Sequence, residues 1–172
     1  MLDDLEILEE FIVESKKIIK DSLFILDKVE GNIVQANLIK DYGNLVDRLM
    51  GGAKSLATLL PSGHSIILLG DYACLCKAVS YKTSQIKTNE QFFNICVALL
   101  QDATETLEIM ITNLDKSPAE LHKLFSIVFI ERLRWISNKF NIEYVESLSS
   151  SSKKGKQLVQ SEIDSMLKKI GF

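Results

Sequence analysis

Apolar side chains recur at steps of three and four along most of this chain, the spacing that lays one stripe down the side of an α-helix. From Leu5 to Val29 the stripe runs through Leu5, Leu8, Phe11 or Ile12, Ile18 or Ile19, Leu23 and Leu26, predicting a long first helix. Glu30-Gly31-Asn32 supplies its stop and a turn. A second helix is expected from about Val34 to Leu60, where Pro61-Ser62-Gly63 breaks it. A third is expected from about Ser65 to Ile86, with Gly70 as a tolerated weak point. Thr88 and Gln91 have the spacing of a capping box that would open a fourth helix. That helix carries the cleanest stripe: Phe93, Cys96, Leu100, Ala103, Leu107, Met110 and Leu114, alternating steps of three and four like a bundle seam. Ser117-Pro118-Ala119-Glu120 forms a second capping-box pattern, with proline where a missing N–H costs nothing. It predicts a fifth helix to about Phe140 that buries Leu121, Leu124, Phe125, Val128, Leu133 and Trp135. No strand alternation and no internal repeat interrupts this pattern.

The pattern then changes. Ser147 to Lys156 reads Ser-Leu-Ser-Ser-Ser-Ser-Lys-Lys-Gly-Lys, which has little to bury and is expected to be a flexible linker. Gln157 to Phe172 follows as an amphipathic piece too short to hold a helix alone in water. Ser161 is placed to cap it, Glu162 and Asp164 suit the positive end of its dipole, and Ile163, Met166, Leu167 and Ile170 share one face. The expected architecture is all-α: a bundle of about five helices over residues 1–146, a linker at 147–157 and a tail helix at 158–172. A short apolar-faced helix on a tether suits docking into a partner's groove. The alternative is that it folds back on its own bundle.

Composition narrows the classes. The chain has 172 residues, enough for one full core and a short appendage, with 47% apolar and 25% charged residues. A net charge of −3 disfavours nucleic-acid binding, which calls for a basic surface. Runs such as Ile66 to Leu69 are too short to cross a bilayer, so no membrane insertion is expected. The opening Met1-Leu2-Asp3-Asp4 is acidic where a signal peptide is basic, and three cysteines fit a reducing compartment. The expected location is the cytoplasm.

Few residues carry obvious chemistry. Cys74 and Cys76 lie about 200° apart on a helix, unlike zinc ligands, and with Cys96 read as core thiols. His64 and His122 have no Cys, Ser or carboxylate at a catalytic spacing and read as structural or surface residues. Gly51-Gly52 lacks the Gly-Lys-(Ser/Thr) ending of a phosphate loop; the pair suits close helix packing or a shallow receptive surface. Lys153, Lys154 and Lys156 solvate the linker, or steer the tail toward an acidic surface. No metal ligand set is expected.

The segment Ser161-Glu162-Ile163-Asp164-Ser165-Met166-Leu167-Lys168-Lys169-Ile170-Gly171-Phe172 closely resembles the C-terminus of the chemotaxis phosphatase family CheZ, and is similar to the Glu-Ile-Asp segment of the flagellar switch protein FliM. In both families such segments bind the response regulator CheY. The resemblance implies a partner-binding set of Glu162, Ile163, Asp164, Met166, Leu167, Ile170 and Phe172. Its apolar members would lie on the receiver's output surface and Asp164 would meet a basic residue there.

Two further resemblances concern the body. Phe11 to Leu114 resembles the histidine phosphotransfer domain of the kinase CheA: Phe11-Ile12-Val13-Glu14-Ser15 fits its opening, and Asp47-Arg48-Leu49-Met50-Gly51-Gly52-Ala53 fits its phosphorylated helix. Leu49, Gly51 and Ala53 match, but Asp47 stands where that family has histidine, so the resemblance implies a scaffold that has lost phosphotransfer. Gln101-Asp102-Ala103-Thr104-Glu105-Thr106 resembles the active-site helix of CheZ, Gln-Asp-Leu-Thr-Gly-Gln, with Thr106 in place of the catalytic amide. An acid to hold the receiver's lysine and a polar group to aim water must share a helix face, and four residues is close to one turn. Asp102 and Thr106 are therefore the candidate catalytic pair, with Gln101 and Glu105 beside them; the alternative is a solvated helix face. The resemblances imply a chemotaxis regulator that binds a CheY-type receiver and promotes its dephosphorylation, any Mg²⁺ belonging to the receiver. The alternatives are an adaptor that also meets a chemotaxis kinase or flagellar components, or a pseudo-phosphotransfer protein that sequesters receivers. CheZ-like proteins share a bundle between two chains, so a homodimer is a further expectation.

Overall fold

The computed structural model describes residues 2–125, 128–129, 131–136, 139–140 and 160–171. Among them every regular element is helical. Helix α1 (Leu2–Val29) leads through a 3₁₀ turn (Ile33–Gln35) to α2 (Leu38–Ala57), followed by α3 (Ser65–Thr83), α4 (Glu90–Thr112) and α5 (Pro118–His122). Helical residues at 128–129, 131–136 and 139–140, called α6 below, precede α7 (Gln160–Lys169). The expected linker at 147–157 lies outside the described residues.

Helices α1 to α4 close a ring in which α2 touches α1 and α3, and α4 touches the same two from the other side. This is a four-helix bundle in which α1, α2 and α4 each bury one apolar face while α3 is buried around most of its circumference. All seven residues of the α4 stripe are buried, from Phe93 to Leu114. In α1, Ile18, Ile19, Leu26 and Val29 are buried, while Leu8, Phe11, Ile12 and Leu23 pack at the edge of the core. Ser15 and Ser22 lie buried on the same side, where their small side chains fit between larger neighbours. Gly52 lets α2 approach α1: a Cβ there would come within 2.9 Å of the Phe11 ring. Gly51, by contrast, faces open space.

Helix starts and stops differ in detail from the expectation. Asn89 rather than Thr88 caps α4, its side chain accepting from the Phe92 N–H at 2.9 Å. Asparagine is among the strongest N-caps, so it takes the role one residue later. The Ser117–Glu120 capping box forms as expected, with both reciprocal hydrogen bonds present. Those hydrogen bonds hold the Glu120 carboxyl below its ordinary range. His64 accepts from the Ile66 N–H at 3.1 Å and so caps α3. The Ser65 hydroxyl donates to the Lys116 carbonyl, tying the start of α3 to the turn after α4.

The fifth helix is not the single run to Phe140 that its stripe implied. After α5, the amides of Lys123, Leu124 and Phe125 each bond three residues back, tightening the chain into a turn. The buried set also changes to Leu121, Phe125, Phe129, Leu133, Ile136 and Phe140, leaving Leu124, Val128 and Trp135 largely exposed. The segment 124–130 is apolar almost all round, so its period does not select a face. Aromatic packing selects it: Tyr72 of α3 stacks on Phe125 at 5.6 Å and meets Phe129 at 6.1 Å, and Phe92 of α4 meets Phe140 edge-on at 5.3 Å. Helix α6 thus lies against both α3 and α4.

The tail helix α7 packs against α3. Leu167 and Ile170 are buried, Met166 is half-buried, and Asp164, Ser165, Lys168 and Lys169 are exposed. Each fully buried aliphatic of this size contributes about 1.5–3 kcal/mol, and a free ten-residue helix is marginal, so the helix and its seat support each other.

Leu100→Ala, which opens a cavity in the centre of α4, is expected to lower unfolding free energy by about 2–5 kcal/mol in a urea titration. Burial also pushes the Cys76 thiol well above its ordinary range, and Cys96 is equally enclosed, whereas Cys74 is partly exposed. A thiol reagent is expected to label Cys74 in the native protein, with Cys76 and Cys96 reacting only on unfolding; labelling followed by peptide mass mapping checks this.

Candidate functional site

Helix α4 carries two kinds of threonine. Thr104 is fully buried; its hydroxyl lies 3.0 Å from the Tyr42 hydroxyl and 2.6 Å from the Leu100 carbonyl, so it satisfies polar atoms inside the core. Thr106 lies half a turn away and is half-buried, on the face that also presents Asp102. The spacing expected of an acid and a water-orienting group is therefore met.

Both members of the pair are engaged. The Asp102 carboxylate accepts from Arg132 of α6 at 3.2 Å, a pair in which the two side chains are 43% and 63% exposed. Thr106 donates its proton to the Asp102 carbonyl at 2.9 Å, leaving only its oxygen lone pairs to offer a water. Gln101 donates to Asp27 of α1 at 3.3 Å, and Glu105 is exposed. Behind the pair stands Tyr72, whose buried hydroxyl has no hydrogen-bond partner among the described residues. Burial, above all, raises the Tyr72 phenol well above its ordinary range. Chemically, this is a half-open carboxylate with a neighbouring acceptor oxygen. A lysine from a docked receiver would have to share or displace Arg132.

Asp47 occupies a different surface. On α2 it accepts from Lys77 of α3 at 2.5 Å, and next to it Arg48 pairs with Glu14 of α1 at 2.7 Å. The position that the phosphotransfer resemblance assigns to an imidazole is thus held in an ion pair between helices. Asp47 and Asp102 lie on separate helices and share no hydrogen-bond partner.

The third group is the tail. Of the partner-binding set, Asp164, Met166, Leu167 and Ile170 are described; Phe172 and the side chains of Glu162 and Ile163 lie outside the described residues. Gly171 follows α7 with φ +93°, and a Cβ there would sit 2.6 Å from Cε1 of His122. His122 in turn packs edge-on against Phe125 at 5.6 Å. Among the described residues no group of three His, Cys, Asp or Glu side chains is placed to hold a metal ion, and no helix is long and apolar enough to cross a membrane.

Sequence reasoning missed Arg132, Lys77, Tyr72 and His122 as neighbours of these groups. Each joins its partner across thirty or more residues, where periodicity has no reach.

The contrast within α4 is measurable. Thr104→Val removes the oxygen partner of the buried Tyr42 hydroxyl and is expected to cost about 1–3 kcal/mol of stability. Asp102→Ala and Arg132→Ala break an exposed pair and are expected to change stability by less than about 1 kcal/mol. Denaturant titration of the three variants tests whether the Asp102 face is dispensable to the fold. In comparisons with known proteins, no family model, no curated protein and no solved structure matches this chain.

Proposed function

We propose that this protein is a chemotaxis regulator that captures a CheY-type response regulator through α7 and acts on the receiver's aspartyl phosphate through the Asp102 face of α4. The observation that carries the reading is the tail itself: Glu162-Ile163-Asp164 followed by Met166, Leu167 and Ile170, the residue order of CheZ-type receiver-binding peptides, on a short amphipathic helix. Leu167 and Ile170 supply an apolar stripe, and the exposed Asp164 beside it supplies a charge for a basic residue of the receiver. A tethered tail raises the local concentration of the bundle around the captured receiver, so a weak second contact at Asp102 becomes populated. There the carboxylate would hold the receiver's lysine and Thr106 would accept a hydrogen bond from the attacking water.

One observation favours a second reading. Arg132 already neutralises Asp102, and Thr106 spends its proton on its own helix, which suits an adaptor that recruits the receiver without hydrolysing it.

The decay of phosphorylated receiver separates the two. With the full chain, decay is expected to accelerate, and Asp102→Ala to abolish the acceleration while binding is retained. Asp164→Ala, by losing one charge contact, is expected to weaken binding about tenfold by calorimetry. Unchanged decay with Asp164-dependent binding leaves the adaptor. Absence of binding by the full chain at any accessible receiver concentration rejects both.

A further inference from the structure

The stripe that would meet a receiver is the same stripe that the bundle covers. Leu167 is 4% and Ile170 0% exposed against the body of the protein, and Met166 packs at the edge of the same core. A ten-residue helix has room for one such stripe, so its side chains occupy one apolar surface at a time. The charged positions follow the opposite rule: Asp164, Lys168 and Lys169 are exposed while the helix is docked.

The seat is specific at its far end. Gly171 turns out of α7 in the left-handed region, its N–H bonding back to the Lys168 carbonyl at 3.1 Å. There its backbone lies so close to the His122 imidazole that any β-carbon would collide. The imidazole is backed by Phe125, and Phe125 by Tyr72, which is enclosed in the core. The near side is a rigid aromatic stack, and the far side is a residue whose missing side chain the fit requires.

From this we infer that the bundle surface made by α3 and His122 is an internal competitor for α7: the tail rests there in the absence of a partner, and a receiver gains the tail only in molecules where it has left that seat. The inference rests on the reading of α7 as the receiver-binding helix. Residues 141–159 keep the tail attached to the bundle, so the internal seat acts at high effective concentration and does not depend on how much protein is present. The apparent affinity for the receiver is then the intrinsic one reduced by the fraction of molecules with a free tail. Partner capture and tail release become one equilibrium, and a change that weakens the seat without touching the shared stripe of α7 tightens the complex.

The test uses the full chain and two substitutions at the contact, one on each side. Gly171→Ala places a β-carbon against the imidazole and leaves the bundle untouched; His122→Ala removes the imidazole. Amide hydrogen exchange over residues 164–170 reports seat occupancy, and calorimetry with a CheY-type receiver domain reports capture. In the wild-type chain these amides are expected to be protected. Both variants are expected to accelerate their exchange and to tighten receiver binding about three- to tenfold, the change produced when the free fraction rises by that factor. Wild-type tail amides exchanging as fast as an unstructured peptide would show that the seat is unoccupied and overturn the inference. Faster exchange in both variants with unchanged affinity would overturn the competition while leaving receiver capture intact. Protected amides with no receiver binding, in the wild type or either variant, would reject the receiver reading itself, and the competition with it.

Discussion

Helix α3 is buried around most of its circumference, leaving only the line Ile67, Asp71, Cys74, Lys77 and Tyr81 partly or wholly exposed, and the rest has to be kept from water. Fourteen of its nineteen residues are buried, including Ile66, Leu69, Tyr72, Leu75, Cys76 and Val79, so no one stripe can be assigned to it. A helix of this kind is stable only when surrounded. Helices α2 and α4 cover two sides, and α5, α6 and α7 have to cover what the four-helix ring leaves open. Leu121, Phe125, Phe129 and Leu133, with Leu167 and Ile170 of the tail, are therefore part of the core's enclosure, and the docked tail follows from the same requirement.

The segment from Pro118 to Phe140 links the two places where chemistry is proposed. Its first half holds His122 against Gly171 of the tail, and its second half holds Arg132 against Asp102 of α4. Between them Phe125 and Phe129 pack on Tyr72, whose buried hydroxyl lies behind Thr106. The two surfaces are thus neighbours across one aromatic stack. An exposed Asp–Arg pair contributes little to stability, so the acid is covered by a weak contact while the stack beneath it is firmly packed.

The two resemblances in the body fare differently in physical terms. An aspartate at the phosphotransfer position makes an ion pair with Lys77, a contact that an imidazole relay would have to give up in order to present its ring to a partner. Asp102 and Thr106 do share a helix face, as the chemistry of water activation requires, but each arrives with an interaction to trade. Each site departs from its resemblance at one position, Asp47 for a histidine and Thr106 for an amide. Both aspartates are about half-exposed and ion-paired; what separates the sites is that Asp102 has a second polar group, Thr106, on its own helix face.

Local pattern determined most of the fold and none of the couplings. The α4 stripe, the capping box at Ser117 and the amphipathic face of α7 were legible because each depends on residues within a few turns of one another, where period and cap chemistry act directly. The spacing of Asp102 and Thr106 was legible for the same reason. The burial of Phe129 and Phe140 in place of Val128 and Trp135 was not, because an almost uniformly apolar run has no period to read and the choice falls to Tyr72 and Phe92 on other helices. Nor did the sequence show that Arg132 would reach Asp102, that Lys77 would hold Asp47, or that the tail would lie on α3 with Gly171 against His122. Those contacts join positions thirty to about a hundred residues apart, and they follow from the packing of α2 on α3 and of α5, α6 and α7 against the open side of α3 and its neighbours.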